Sequence, residues 1–124
     1  MIGIDIILTS RLEDKVGNSR FYNKILNLVE KNYILTKKRA NKEVELKSLA
    51  GFFAAKEAIL KAFGVGITNG YGFLDITIDH DKFGAPVVIL SEKLNKLLKL
   101  KGKTGIAVSI SHDGEYATAI AFLQ

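Results

Sequence analysis

The stretch GFFAAKEAILKAFG, residues 51–64, constrains this chain more than any other. Phe52, Phe53, Ala54, Ala55, Ala58, Ile59, Leu60, Ala62 and Phe63 go round most of a helix, and a helix apolar on nearly all sides has to be covered. Traced backwards, the helical spacing reaches Asn41, whose short amide suits a cap. Traced forwards, it meets Gly64, which supplies a stop. A helix running to Phe63 spans about 33 Å at 1.5 Å per residue, close to the width of the domain. The chain has 124 residues, enough for one compact domain over 1–124 with a small core, so the other elements must wrap this helix.

Three charges interrupt the apolar surface. Glu57 and Lys61 lie four apart and share a side, while Lys56 is turned away by about 100°. On an exposed helix the first two make an ion pair worth about 0.2–0.5 kcal/mol. On an enclosed helix a carboxylate needs a cation partner, either Lys61 or a metal. Asp5 raises the same question in the first predicted strand. It caps, pairs with a lysine, faces water, or joins Glu57 around a Mg²⁺ ion, which typically takes one or two protein carboxylates and completes its shell with water and phosphate. Asp5 and Glu57 stand 52 positions apart, so only the fold brings them together.

Residues 2–8 alternate as a strand, with Ile2, Ile4, Ile6 and Leu8 on one face and Gly3, Asp5 and Ile7 on the other. Helical spacing runs from Arg11 to about Glu30. It breaks near GNS at 17–19, where Asn18 or Ser19 caps a second helix with a stripe of Phe21, Ile25, Leu28 and Val29. The basic stretch that follows has no assigned element. YGFLDITID and APVVIL read as strands about an HDKFG turn. Ser91 opens a short helix to about Lys101 that offers Leu94, Leu97, Leu98 and Leu100 to a core. GIAVSIS and YATAIAFL flank HDGE, whose Asp-Gly pair favours a tight turn. The class is α+β, with helices mostly in the first half and antiparallel strands in the second.

Composition narrows the function. An apolar fraction of 48% and a charged fraction of 25% are those of an ordinary globular protein. No apolar run approaches a membrane span, and MIGIDIIL lacks the basic start of a signal peptide. With no cysteine there is no disulfide or thiolate site, and the cytoplasm is the expected compartment. The net charge of +5, gathered at 37–42 and at Lys93–Lys103, is either a solvated face, the commoner case, or an attraction to something anionic: nucleic acid, phosphates or an acidic protein. FGVGITNGYG leaves a helix and enters a strand, the reverse of a phosphate-cradling loop. His112 follows Ile106, Val108 and Ile110 on one strand face, as a turn histidine or a ligand contact. His80, between Asp79 and Asp81, reads as a turn residue, and neither histidine has a partner at zinc-site spacing.

GIDI at the start, FFAAKEAILKAFGVGI in the middle, DKFGAPVV and the closing VSISHDGEYATAIA occur in an order that resembles holo-acyl-carrier-protein synthases, the small trimeric bacterial class of 4′-phosphopantetheinyl transferases. The likeness covers nearly the whole chain and is weakest at 30–47. It implies an antiparallel sheet with a long packed helix. The implied activity moves phosphopantetheine from coenzyme A to a serine of an acidic acyl carrier protein, releasing adenosine 3′,5′-bisphosphate and serving fatty acid biosynthesis. By the resemblance, Asp5 and Glu57 are Mg²⁺ ligands and Lys61 is a catalytic residue that meets the pyrophosphate. Gly64 and Gly66 line the coenzyme pocket, and His112 lies near the nucleotide end. Arg11, with Lys15, Arg20 and Lys24, faces the carrier. A homotrimer is expected, with no nucleic acid or membrane partner. Phe52 departs from the family, which often has arginine there, and the lysine-rich 37–47 replaces a usually more acidic segment. A basic nucleic-acid-binding domain and another Mg²⁺-dependent phosphate-ester enzyme are the alternatives. Against the first, the chain has no basic-aromatic strand motif of the RRM type.

Overall fold

A single helix is the axis on which the larger sheet and the preceding helix pack. In the computed structural model, which describes residues 1–39 and 41–124, helix α3 runs Lys42–Phe63. Its first turn is capped by Asn41, whose side chain accepts the Val44 N–H at 2.8 Å. Its last turn closes on Gly64 at φ 73°, a left-handed conformation that glycine adopts without a Cβ penalty.

Before α3 come β1 (Ile2–Leu8), a 3₁₀ segment (Thr9–Lys15), α1 (Ser19–Ile25) and α2 (Leu28–Lys38). After it come two short 3₁₀ turns, β2 (Ile76–His80), β3 (Pro86–Leu90), α4 (Glu92–Leu100), β4 (Ile106–Asp113) and β5 (Tyr116–Leu123). β1, β5 and β4 form an antiparallel sheet in that order, with Asp5 opposite Ala119 and Ala119 opposite Ile110. Ala117, Ala119, Ala121 and Leu123 of β5 are buried and turn towards α3, the three alanines leaving room for a helix to lie close. The β2–β3 hairpin is a second sheet, turned by Asp81, whose carboxylate accepts the N–H groups of Phe83 and Ala85. No helix among the described residues is long and apolar enough to cross a membrane.

The α+β class and both ends of the long helix follow the sequence reading, but several local assignments change. β1 turns its isoleucines outward: Ile2, Ile4 and Ile6 are 60–64% exposed, and Ile120 and Phe122 of β5 continue the apolar surface. The side carrying Gly3, Asp5 and Ile7 meets α3, because the close approach of helix and strand needs a residue without a side chain. The helix predicted to reach Glu30 ends at Ile25, and Asn27 starts a new one by donating its N–H to the Glu30 carboxylate at 2.7 Å. Leu28 and Val29 are therefore exposed rather than part of a buried stripe. The unassigned basic stretch is largely α2. β2 begins at Ile76 instead of Tyr71, since the Gly72 N–H bonded to Asp75 folds 72–75 into a turn. In α4, Leu94 and Leu98 enter the core while Leu100 stays in solvent.

The question posed by Lys56 also resolves here. Its side chain is fully buried, and Nζ donates to the Ile25 carbonyl and to Glu30 Oε1, each at 2.6 Å. Glu30 Oε2 accepts the Ile78 N–H at 2.8 Å. Burial pulls the Lys56 pKa down and the Glu30 charge opposes that pull. One ion pair thus ties the end of α1, the start of α2, α3 and β2 to a single point.

Candidate active site

The site is built where β1 crosses the last turns of α3. Asp5 lies on the helix-facing side of the strand, and its backbone carbonyl accepts the Thr118 hydroxyl at 2.8 Å. From α3, Lys61 Nζ donates to Asp5 Oδ1 and to the Ile4 carbonyl, both at 3.0 Å. An ammonium has three donors, so one remains for a further acceptor. Lys61 therefore pairs with Asp5, and not with Glu57 as helix spacing alone suggests.

Glu57 sits one turn earlier on α3, half-buried, and its carboxylate has no hydrogen bond or ion pair among the described residues. Burial raises its pKa first, the charge of Asp5 raises it further, and Lys61 offsets part of the rise. Two carboxylates thus share one neighbourhood with a single lysine, a cluster short of positive charge. Among the described residues no three metal-binding side chains converge, so a cage made wholly of protein is absent. A pair of hard oxygen donors suits Mg²⁺, which keeps sites for water and phosphate, and it does not suit zinc. Gly64 continues from the same turn, donating its N–H to the Lys61 carbonyl at 3.0 Å, and Gly66 follows at the start of the next 3₁₀ turn.

His112 stands elsewhere. It projects from β4 over Gly51 and its Nε2 faces the Lys47 carbonyl at 2.9 Å, so that nitrogen is the donor. A cavity of about 170 Å³ opens beside it, walled by Tyr33, Phe52 and His80. The His80 ring stacks on Tyr33 with centroids 4.2 Å apart, and Phe52 meets Tyr33 edge-on at 5.5 Å. Burial lowers the His80 pKa. The histidine read as a turn residue is thus a wall of this cavity, and Phe52 fills buried space where a charged side chain would need a partner. Asp5 and Ile110 both pair with Ala119 from opposite sides, so they lie about 10 Å apart, two strand spacings. His112 belongs to one edge of the sheet and Asp5 to the other.

Arg11, Arg20 and Lys24 are exposed, and Lys15 is partly so. They do not share one helix: Arg11 and Lys15 belong to the 3₁₀ segment, while Arg20 and Lys24 lie four apart on α1. Glu30, the predicted end of the helical spacing that starts at Arg11, is fully buried. Sequence reading missed two internal pairs, Lys56–Glu30 and Tyr22–Glu45. Neither leaves a local signal, because the partners are 26 and 23 residues apart.

Comparison with known proteins adds a family. The 4′-phosphopantetheinyl transferase superfamily matches residues 1–121. Holo-[acyl-carrier-protein] synthase of Fusobacterium nucleatum is 42% identical, over 98% of this chain and 96% of that protein. The Campylobacter hominis protein of the same name is 40% identical, over 100% of this chain and 97% of its own. Among solved structures, holo-[acyl-carrier-protein] synthase from Helicobacter pylori in complex with coenzyme A superposes with a TM-score of 0.83 at 34% identity, covering all of both chains. A Bacillus anthracis holo-(acyl-carrier-protein) synthase in complex with CoA (3′,5′-ADP) gives 0.77 at 34% identity, over 98% of this chain and 93% of that one.

Proposed function

The chain belongs to the 4′-phosphopantetheinyl transferase superfamily, and from that membership and the Asp5–Lys61–Glu57 cluster we propose that it is a holo-acyl-carrier-protein synthase. It transfers 4′-phosphopantetheine from coenzyme A to a serine of an apo acyl carrier protein, a step that supports fatty acid biosynthesis. The observation that carries the reading is the convergence of Asp5, Glu57 and Lys61 from a strand and a helix far apart in sequence.

Asp5 and Glu57 would hold Mg²⁺, which when bound supplies positive charge to the diphosphate oxygens. The remaining Lys61 donor meets the same diphosphate, where negative charge accumulates in the transition state. The serine oxygen forms a new bond to phosphorus as its proton passes to water or to a carboxylate, while the bond to the bridging oxygen breaks. The electron pair of that bond leaves with adenosine 3′,5′-bisphosphate. Lys61 is tethered at the Ile4 carbonyl and at Asp5, so its third N–H is already aimed and costs little ordering when the substrate arrives. Gly64 and Gly66 leave open backbone beside it for the coenzyme, with nothing within 4 Å of where a side chain would stand. Arg11, Lys15, Arg20 and Lys24 offer positive charge to the acidic carrier.

His112, assigned to the nucleotide end, lies on the opposite edge of the sheet from Asp5. One coenzyme reaches both kinds of group most simply if they come from neighbouring protomers. The outward isoleucines of β1 with Ile120 and Phe122 give a contact surface for a homotrimer. The test incubates the protein with coenzyme A, Mg²⁺ and an apo carrier and weighs the carrier by mass spectrometry. A phosphopantetheine adduct, lost with chelator and with Asp5→Ala or Glu57→Ala in folded protein, is expected. Free phosphopantetheine with an unmodified carrier would mark a hydrolase.

A further inference from the structure

We infer that Gly3 is a positioning residue: by carrying no side chain it seats β1 on the backbone of α3 and so sets the separation across which Asp5 and Glu57 share one divalent cation. The inference rests on the carboxylate pair proposed above. Gly3 is not in the left-handed region, so conformational freedom does not account for a glycine at this position. Space does. A Cβ added at Gly3 would lie 1.9 Å from the Ala58 carbonyl oxygen and 2.6 Å from the Ala62 nitrogen. Both are backbone atoms, which no rotamer change moves aside. Ordinary contact begins near 3.4 Å, so strand and helix would have to part by 3.4 − 1.9 = 1.5 Å.

The position of that contact gives it a chemical consequence. Ala58 directly follows Glu57, and Ala62 directly follows Lys61. Asp5 lies two residues beyond Gly3 on the same face of the strand. A side chain at position 3 therefore drives Asp5 away from the two groups it works with. Among the described residues β5 is the one sheet partner of β1, an edge strand, so β1 is the element free to yield. Mg²⁺ demands near-octahedral oxygen ligands at about 2.0–2.1 Å, and a displacement of this size exceeds what such a shell tolerates. Gly51, the other glycine buried against the sheet, differs: its added Cβ meets side chains and no backbone, the His112 ring at 3.2 Å and an Ile110 methyl at 3.4 Å.

The test measures binding of Mn²⁺ alone by electron paramagnetic resonance, with circular dichroism and thermal melting on every variant. Gly3→Ala is expected to fold and to bind Mn²⁺ at least tenfold more weakly than the parent. Ile7→Val, a smaller side chain on the same buried face, is expected to melt earlier and keep parental affinity, which separates lost spacing from lost stability. If Gly3→Ala does not fold, Ile7→Phe widens the same interface on the other side of Asp5 and should weaken Mn²⁺ at least tenfold. A folded Gly3→Ala, or Ile7→Phe in its stead, that binds within twofold of the parent overturns the inference. So does Ile7→Val weakening the metal as much. Asp5→Asn separates the two layers: if it binds like the parent, the carboxylate pair fails and Gly3 falls with it. If it loses metal while Gly3→Ala keeps it, only the role of Gly3 fails.

Discussion

Lys56→Met should destabilise this protein more than almost any other single change outside its site. The wild-type ammonium is fully buried and satisfied by two acceptors at 2.6 Å. Methionine leaves the Glu30 carboxylate buried with only the Asn27 and Ile78 N–H groups, and the Ile25 carbonyl loses its donor. Removing one member of a buried ion pair costs about 3–5 kcal/mol, most of it the uncompensated charge. Unfolding entropy of about 2.1 cal/mol/K per residue gives roughly 0.26 kcal/mol/K for this length, so Tm should fall by about 12–19 °C. Against a typical total of about 5–15 kcal/mol, the variant stands near the edge of folding. Lys56→Met/Glu30→Gln should recover at least about 1 kcal/mol, since the glutamine oxygen still accepts a backbone N–H without bringing a charge. Urea and thermal unfolding of the two single variants and the double variant measure this directly. A loss below about 1 kcal/mol for Lys56→Met, or a double variant that merely adds the single losses, would refute the reasoning.

Glu57→Gln should raise the Tm of metal-free protein at pH 7 while abolishing transfer. The native carboxyl holds its proton more tightly than the unfolded one, so stability falls as pH rises from the ordinary 4.5 through the raised value, and the gain should vanish below 4.5 in a melting series. Tyr22→Phe should cost about 1–3 kcal/mol in urea unfolding, because buried Glu45 loses the hydroxyl that donates to it at 2.9 Å. Burial, with the hydrogen bond and charge of Glu45, pushes the Tyr22 pKa up to about 12, so wild-type stability should fall as pH climbs from 10 to 12, and the phenylalanine variant should lack that decline. Ile4→Glu places a charge on the outward sheet face, and light scattering should show the proposed trimer for the parent and monomers for the variant; an intact trimer in both would move the contact elsewhere.

The parts legible in the sequence were those whose signal is local. Asn41 and Gly64 announce both ends of α3 because capping and a left-handed stop are properties of single residues. The Asp-Gly turn and its flanking alternation give β4 and β5 in the same way. Alternation in β1 shows two faces but not which one is inward. The isoleucines look like core, yet Gly3 and the alanines of β5 form the side that α3 requires. Glu30 reads as an ordinary helix-surface acid until Lys56, 26 residues on, is seen to need it. Asp5 and Glu57 stood out by their setting in apolar segments, but their convergence depends on β1 lying across α3. The pairing of Lys61 with Asp5, and the stacking of His80 on Tyr33, likewise exist only in three dimensions.

The central claim is that Asp5 and Glu57 jointly grip one divalent ion that also holds a diphosphate. The most direct measurement is a crystal grown with coenzyme A and Mn²⁺, with the metal located by its anomalous signal. The account predicts one peak bonded to a carboxylate oxygen of each residue and to an oxygen of the coenzyme diphosphate, with Lys61 on the same diphosphate. A peak touching neither carboxylate, or coenzyme bound with Asp5 and Glu57 away from its phosphates, would contradict it.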